Sequence, residues 1–313
     1  QLFFQIPFLK QIGCLPKFNL DLKDKGVWRI LKLMGPAILG VSIMQISLLI
    51  NTIFASFLAA GSVSWLYYAD RLMEFPAGVL GVALSTILLP NLSKSFSSKK
   101  TGDYSDLVNW GLKLGLLLAV PAATALVILA IPLITTLFYY GAFTETDVLM
   151  TKYALTAYSV GLVGLILIKI LAPAFYAQQN VKTPVKIALF TLFCTQFMNL
   201  IFIGYLKHAG LALAIGIGAC INAGLLFYHL KKGNIFKLNG GWAMFLLKII
   251  FATFVMAVGL IYFKGTVDLW INYSAFSRFL HLLTLILFGI SLYFIALKLC
   301  RLDISDFLKK TIQ

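Results

Sequence analysis

An all-α polytopic membrane protein is the fold class the sequence predicts, and three observations predict it. Of 313 residues, 60% are hydrophobic and only 12% charged, against roughly 25% charged in an ordinary soluble domain. Mean hydropathy is +0.93. The apolar residues gather in runs of about 20 or more, the length that spans a hydrocarbon core as a helix, rather than in the alternating ten-residue strands of an outer-membrane barrel.

Eight transmembrane helices are expected. The first, at about 35–58, opens on Gly35 and Pro36, and the second, 62–89, carries three ionisable residues and Pro76. The third, 110–138, contains Pro121 and Pro132, and the fourth, 149–177, contains Pro173. Each proline removes a backbone donor and crowds the preceding turn, so kinks are expected there. The fifth and sixth, 184–205 and 208–229, are parted by Lys207, and 242–263 and 277–299 complete the set. Small residues such as Gly78, Gly81, Gly111, Gly115, Gly216 and Gly218 suit close helix packing.

Lysine and arginine predict the orientation. With alternating loops, eighteen of them fall on one side and only Lys207, Lys264 and Arg278 on the other, so the rich side is expected to be cytoplasmic and to hold both ends of the chain. The formal net charge of +15 is thereby spread over short loops without a nucleic-acid module, and anionic headgroups account for it better than nucleic acid does. Lys113, Lys152 and Lys248 lie near enough to helix ends for their stems to reach the interface. Lys169 is deeper, and either snorkelling or a cavity-lining role fits it.

The segment Tyr67-Tyr68-Ala69-Asp70-Arg71-Leu72-Met73-Glu74-Phe75-Pro76 stands apart. Tyr67, Asp70, Arg71 and Glu74 follow i, i+3, i+4, i+7 spacing, one face of a helix. From a helix start near Ser62, Arg71 lies roughly 14 Å into the bilayer at about 1.5 Å per residue. A charge there costs about 2.5 to 3.5 kcal/mol even on mild insertion scales, so it is expected to face protein or a watery cavity. An intrahelical pair with Glu74, helped by Asp70, would neutralise it without any ligand. A cavity offering arginine to an anionic substrate is the preferred reading, because the guanidinium fork matches phosphate oxygens.

No nucleotide-binding loop, nucleophile elbow or metalloprotease motif occurs, and His208, His229 and His281 are far apart, so neither an enzyme nor a cofactor is expected. Cys14, Cys194, Cys220 and Cys300 show no metal or redox spacing. The amides Gln45, Asn51, Gln196, Asn199 and Asn222 could bind across helices, line a cavity or coordinate a cation. The chain opens at Gln1 within an apolar stretch and is expected to be a piece of something longer.

The stretches 34–42, 51–58, 61–76 and 81–90, with Ala157-Tyr158-Ser159-Val160-Gly161-Leu162 and Lys182-Thr183-Pro184-Val185-Lys186-Ile187-Ala188, resemble the MurJ (MviN) family of bacterial lipid II flippases. The resemblance implies one six-helix lobe of an exporter fold of the multidrug and oligosaccharidyl-lipid type (35–231), followed by two additional helices and a cytoplasmic tail (232–313). Residues 1–34 would be the end of a preceding helix and a linker. It also implies an inner-membrane location, lipid II and membrane lipids as partners, and a missing N-terminal lobe of the same protein that supplies further cavity arginines. By the same resemblance Arg71 would hold the substrate's pyrophosphate; from their own spacing and depth Asp70, Glu74, Tyr67 and Lys169 are expected beside it in the substrate site, with Asp70 and Glu74 orienting the arginine. The last two helices, with Phe251, Phe254 and Phe288, would form a groove for the polyprenyl tail. Another exporter of the superfamily and a non-transport membrane scaffold are the alternatives.

Overall fold

The structure, a computed structural model, describes residues 2–13, 25–98, 101–233 and 236–302, and every regular element among them is an α-helix. In chain order these are α1 (Leu2–Gln11), α2 (Lys25–Ser56), α3 (Ser62–Ser97), α4 (Thr101–Ile128), α5 (Ala130–Phe138), α6 (Glu145–Ala177), α7 (Lys182–Lys232), α8 (Trp242–Phe263), α9 (Val267–Asn272) and α10 (Ala275–Leu299). Cys14, most of the linker after α1 and the tail beyond Leu302 lie outside the described residues.

Local chemistry explains the boundaries. Gly61 precedes α3 with φ 98°, a left-handed conformation that favours glycine. A Cβ on Gly61 would also lie 2.6 Å from the Trp65 ring. Thr144 and Asp147 form a capping box at the start of α6, the Asp147 N–H donating to Thr144 Oγ1 (3.3 Å) and the Thr144 N–H to Asp147 Oδ2 (2.8 Å). The expected third span is broken at Leu129 into α4 and α5. Pro132 lacks the N–H that would bond Ile128, one turn back. Pro76, Pro121 and Pro173 sit inside α3, α4 and α6 without interrupting them.

Among the described residues six helices are long and apolar enough to cross a membrane: α3, α4, α6, α7, α8 and α10. The first expected span falls in α2, whose described apolar stretch is the shorter Gln45–Ser56. The fifth and sixth are both contained in α7, which has 51 residues and leaves helical geometry at Lys207 (φ 51°, ψ −129°). There the chain turns back on itself. A Cβ on Gly210 would lie 2.6 Å from the Phe202 carbonyl oxygen, and one on Gly218 would strike Thr195 Oγ1. Contacts whose residue numbers rise in one arm as they fall in the other define an antiparallel hairpin, with small residues in its seam.

α6 is the central element. It runs beside the second arm of α7, where Gly161 meets the Gly216 backbone and a Cβ on Gly164 would lie 2.6 Å from the Cys220 nitrogen. Gly111 and Gly115 of α4 admit Ile170 of α6. On its other side α6 follows α3, from the Trp65 Nε1–H donating to Asp147 Oδ1 (2.6 Å) down to Lys169 at Gly81. The main core thus joins α3, α4, α6 and α7. A second core joins α8 and α10 to Leu117 and Leu129 beside α5. Short α9, which periodicity is too brief to reveal, buries Trp270 and directs its Nε1–H to the Lys264 carbonyl (2.6 Å).

Candidate functional site

The face of α3 singled out by sequence is an open one. Tyr67 and Phe75 are exposed, and the Arg71 and Glu74 side chains are 53% and 57% exposed. Arg71 Nη1–H donates to Glu74 Oε2 at 2.7 Å, and the guanidinium lies over the Tyr67 ring, 5.0 Å from its centre. A cation over an aromatic face and a carboxylate one turn away restrain the fork while leaving most of its five donors available. Arg71 and Glu74 thus form an ion pair within one helix.

Asp70 does not share that arrangement. It is half-buried where Tyr67, Arg71 and Glu74 are exposed, and the carboxylate bonded to Arg71 is that of Glu74. The expected four-residue face therefore divides: Tyr67, Arg71 and Glu74 are exposed, and Asp70 is half-buried at its edge. A helix turn of about 100° per residue puts position 70 at the edge of a stripe centred on 67, 71 and 74.

Lys169 is half-buried, and its ammonium donates to the Ala77 carbonyl at 3.2 Å. Its stem passes where a Cβ on Gly81 would stand. Sequence depth suggested snorkelling or a cavity lining; the structure shows the lysine crossing to α3 through a gap left by glycine. It meets α3 one turn after Glu74.

Of the intramembrane amides, Asn51 and Asn199 bind across helices, and Gln196 joins them from the helix of Asn199. Asn199 Nδ2–H donates to Asn51 Oδ1 (2.6 Å) and Gln196 Oε1 (3.0 Å), tying α2 to the first arm of α7. Among the described residues no three His, Cys, Asp or Glu side chains gather as metal ligands would.

Sequence reading missed Arg278. Counted there as an external loop charge, it is only 6% exposed. Its guanidinium donates to the carbonyls of Thr135 (3.3 Å), Tyr139 (3.3 Å) and Ile271 (2.7 Å) and lies over the Tyr139 ring. It thus joins α10 to the ends of α5 and α9. Ser105 and Asn109 of α4, equally unremarkable in sequence, pin the connection before α8 through the Lys237 carbonyl (2.9 and 2.8 Å). Phe251 and Phe254 of α8 are exposed, whereas Phe288 packs on Phe263. Gly259 and Gly289 bring α8 and α10 into direct contact.

Comparison with known proteins identifies the architecture. The family described as "Lipid II flippase MurJ" matches residues 1–281. The chain belongs to the MurJ family. It is 50% identical over 261 residues to the lipid II flippase MurJ of Burkholderia cenocepacia, an alignment covering 82% of this chain and 51% of that protein. It is 44% identical over 315 residues to the probable lipid II flippase MurJ of Buchnera aphidicola subsp. Schizaphis graminum, covering 100% and 61%. The chain thus spans roughly half to three-fifths of these MurJ relatives' length. A solved MurJ in an inward closed conformation superposes with a TM-score of 0.72 at 27% identity, covering 98% of this chain and 60% of that one. A multidrug resistance transporter of the MATE family, in an outward-facing conformation, matches with a TM-score of 0.58 at 14% identity over 90% of this chain and 66% of that one, which speaks for the fold alone.

Proposed function

We propose that this chain is one lobe of a flippase that carries lipid II, a polyprenyl-pyrophosphate-linked peptidoglycan precursor, across the bacterial inner membrane by alternating access. The observation that carries the reading is the open α3 face, on which Arg71 is held by Glu74 and Tyr67 yet remains 53% exposed. In the empty state Glu74 neutralises the guanidinium. When the pyrophosphate arrives its oxygens compete for the same donors, and a bidentate anion displaces the single-contact carboxylate. Asp70 acts from the edge of that face and Lys169 fixes α3 against α6. No covalent step is required.

The face needs an opposite wall, and we propose a second six-helix lobe of the same protein that contributes further cationic groups. The length of the MurJ relatives, of which this chain spans 51% and 61%, supports it. We further propose eight crossings, counting α2 once and each arm of α7 separately, with both ends of the chain cytoplasmic. The antiparallel α7 hairpin and the lysine and arginine asymmetry support that count. The polyprenyl tail would follow the exposed phenylalanines of α8.

The competing reading is a structural Arg71–Glu74 pair, favoured by its 2.7 Å contact within one helix. Growth of cells relying on the intact gene product for lipid II translocation separates the two. Arg71→Ala should abolish growth and Arg71→Lys should restore it only partly, because the fork is lost. Wild-type growth with Arg71→Ala at equal protein level removes the phosphate role, and a scaffold would tolerate that change.

A further inference from the structure

A cavity of about 450 Å³ lies between the lobe and α8, away from the Arg71 face. Leu112 and Leu116 of α4, Leu167 of α6, Gly224 and Phe227 of α7 and Trp242 of α8 define its walls, which are apolar almost throughout. The volume falls within the range of about 300 to 1,000 Å³ typical of small-ligand sites. Gly224 and Cys220, also in the wall, are exposed, so the cavity opens sideways. A Cβ on Gly224 would meet no atom within 4 Å, which marks open space beside the helix.

Basic groups lie near this lining. Lys231 follows Phe227 by one turn on the same face of α7, and Lys237 adjoins the lining residue Leu238; both lysines are exposed. The Lys113 ammonium lies 5.5 Å from the centre of the Trp242 ring. Of the acidic groups in the first turns of α4, Asp103 and Asp106, the second is engaged by Asn239 Nδ2–H at 2.8 Å. An apolar chamber walled in part by Trp242, with Lys113 over that ring and Lys231 and Lys237 close in the chain to its lining residues, has the chemistry to receive an amphiphile with one chain and an anionic head.

We propose that this cavity is a binding site for one acyl chain of an anionic phospholipid, whose phosphate rests among Lys113, Lys231 and Lys237. The site is separate from the cargo path. Its occupant fills the gap between α8 and the lobe and stiffens their junction. The lipid belongs to the surrounding leaflet, since the chamber opens sideways rather than toward the α3 face.

Titrating the intact, detergent-purified protein with phosphatidylglycerol, and counting bound lipid by native mass spectrometry, tests this directly. Wild type should bind one lipid more tightly than it binds phosphatidylcholine. Gly224→Leu should fill the chamber and weaken binding about tenfold, without lowering the melting temperature in lipid-free detergent, because leucine suits a helix better than glycine. The double variant Lys231→Gln, Lys237→Gln changes only exposed groups and should also lose about tenfold, as expected for two lysines near an anionic head. Undiminished phosphatidylglycerol binding by either variant overturns the proposal, as does equal binding of phosphatidylcholine. Displacement of the lipid by an equimolar polyprenyl phosphate would assign the chamber to the cargo's tail and overturns it too. Lipid binding is read here without cargo, so failure leaves the role of Arg71 untouched.

Discussion

A guanidinium that holds a single carboxylate and is half exposed has donors to spare, and that surplus is the chemical core of the account. If Glu74 only occupies Arg71 until an anion arrives, Glu74→Gln should tighten lipid II binding while changing stability by less than about 1 kcal/mol, the usual worth of an exposed pair. A binding titration beside a thermal melt reads both effects. The Arg71–Glu74 contact was legible in the sequence because i, i+3 spacing on a helix dictates proximity. The placement of Lys169 was not, because periodicity gives depth within one helix and says nothing of the neighbour it reaches. Gly81 is what admits its stem. Gly81→Leu should therefore evict Lys169 and lower stability by about 1 to 3 kcal/mol, as overpacking does. Loss of the Lys169 contact without any fall in melting temperature would contradict that placement.

At the scale of elements, backbone carbonyls and glycines decide how helices meet. Gly161 and Gly216 let α6 and the second arm of α7 touch along their backbones, so Gly161→Leu leaves no room without parting the helices. That variant should fail to accumulate as monodisperse protein, while Gly224→Leu, facing open space, should behave as wild type in the same chromatography. Arg278 supplies a charged donor to three carbonyls at the ends of α5 and α9. Hydrogen bonds to charged groups are worth about 1.5 to 3 kcal/mol each, so Arg278→Ala should loosen the end of the α8–α10 unit. Faster proteolysis between 264 and 274 is the expected result, and unchanged cleavage would argue against the role. Hydropathy foresaw both arms of α7 because Lys207 interrupts the apolar run. It could not foresee the α4–α5 break at Leu129, since nothing polar marks that position, nor α9, whose six residues are too few for a periodic signal.

Across the whole molecule two cores share α4: one unites α3, α4, α6 and α7, and the other seats α8 and α10 on α4. The all-helical class and the division of α7 followed from composition and charge, because a bilayer leaves few ways to satisfy a backbone. The clamp at Arg278 and the pinning of Lys237 by Ser105 and Asn109 depend on contacts between residues more than 100 positions apart, which one sequence does not display. What this arrangement leaves open is the α3 face, with Phe75 74% exposed beside Arg71 and Glu74. The most direct test places a photoreactive residue at position 75 of the intact protein in membranes making lipid II. The expected result is a crosslink to lipid II that disappears when Arg71→Ala is added; a crosslink that persists undiminished without the arginine overturns its phosphate role.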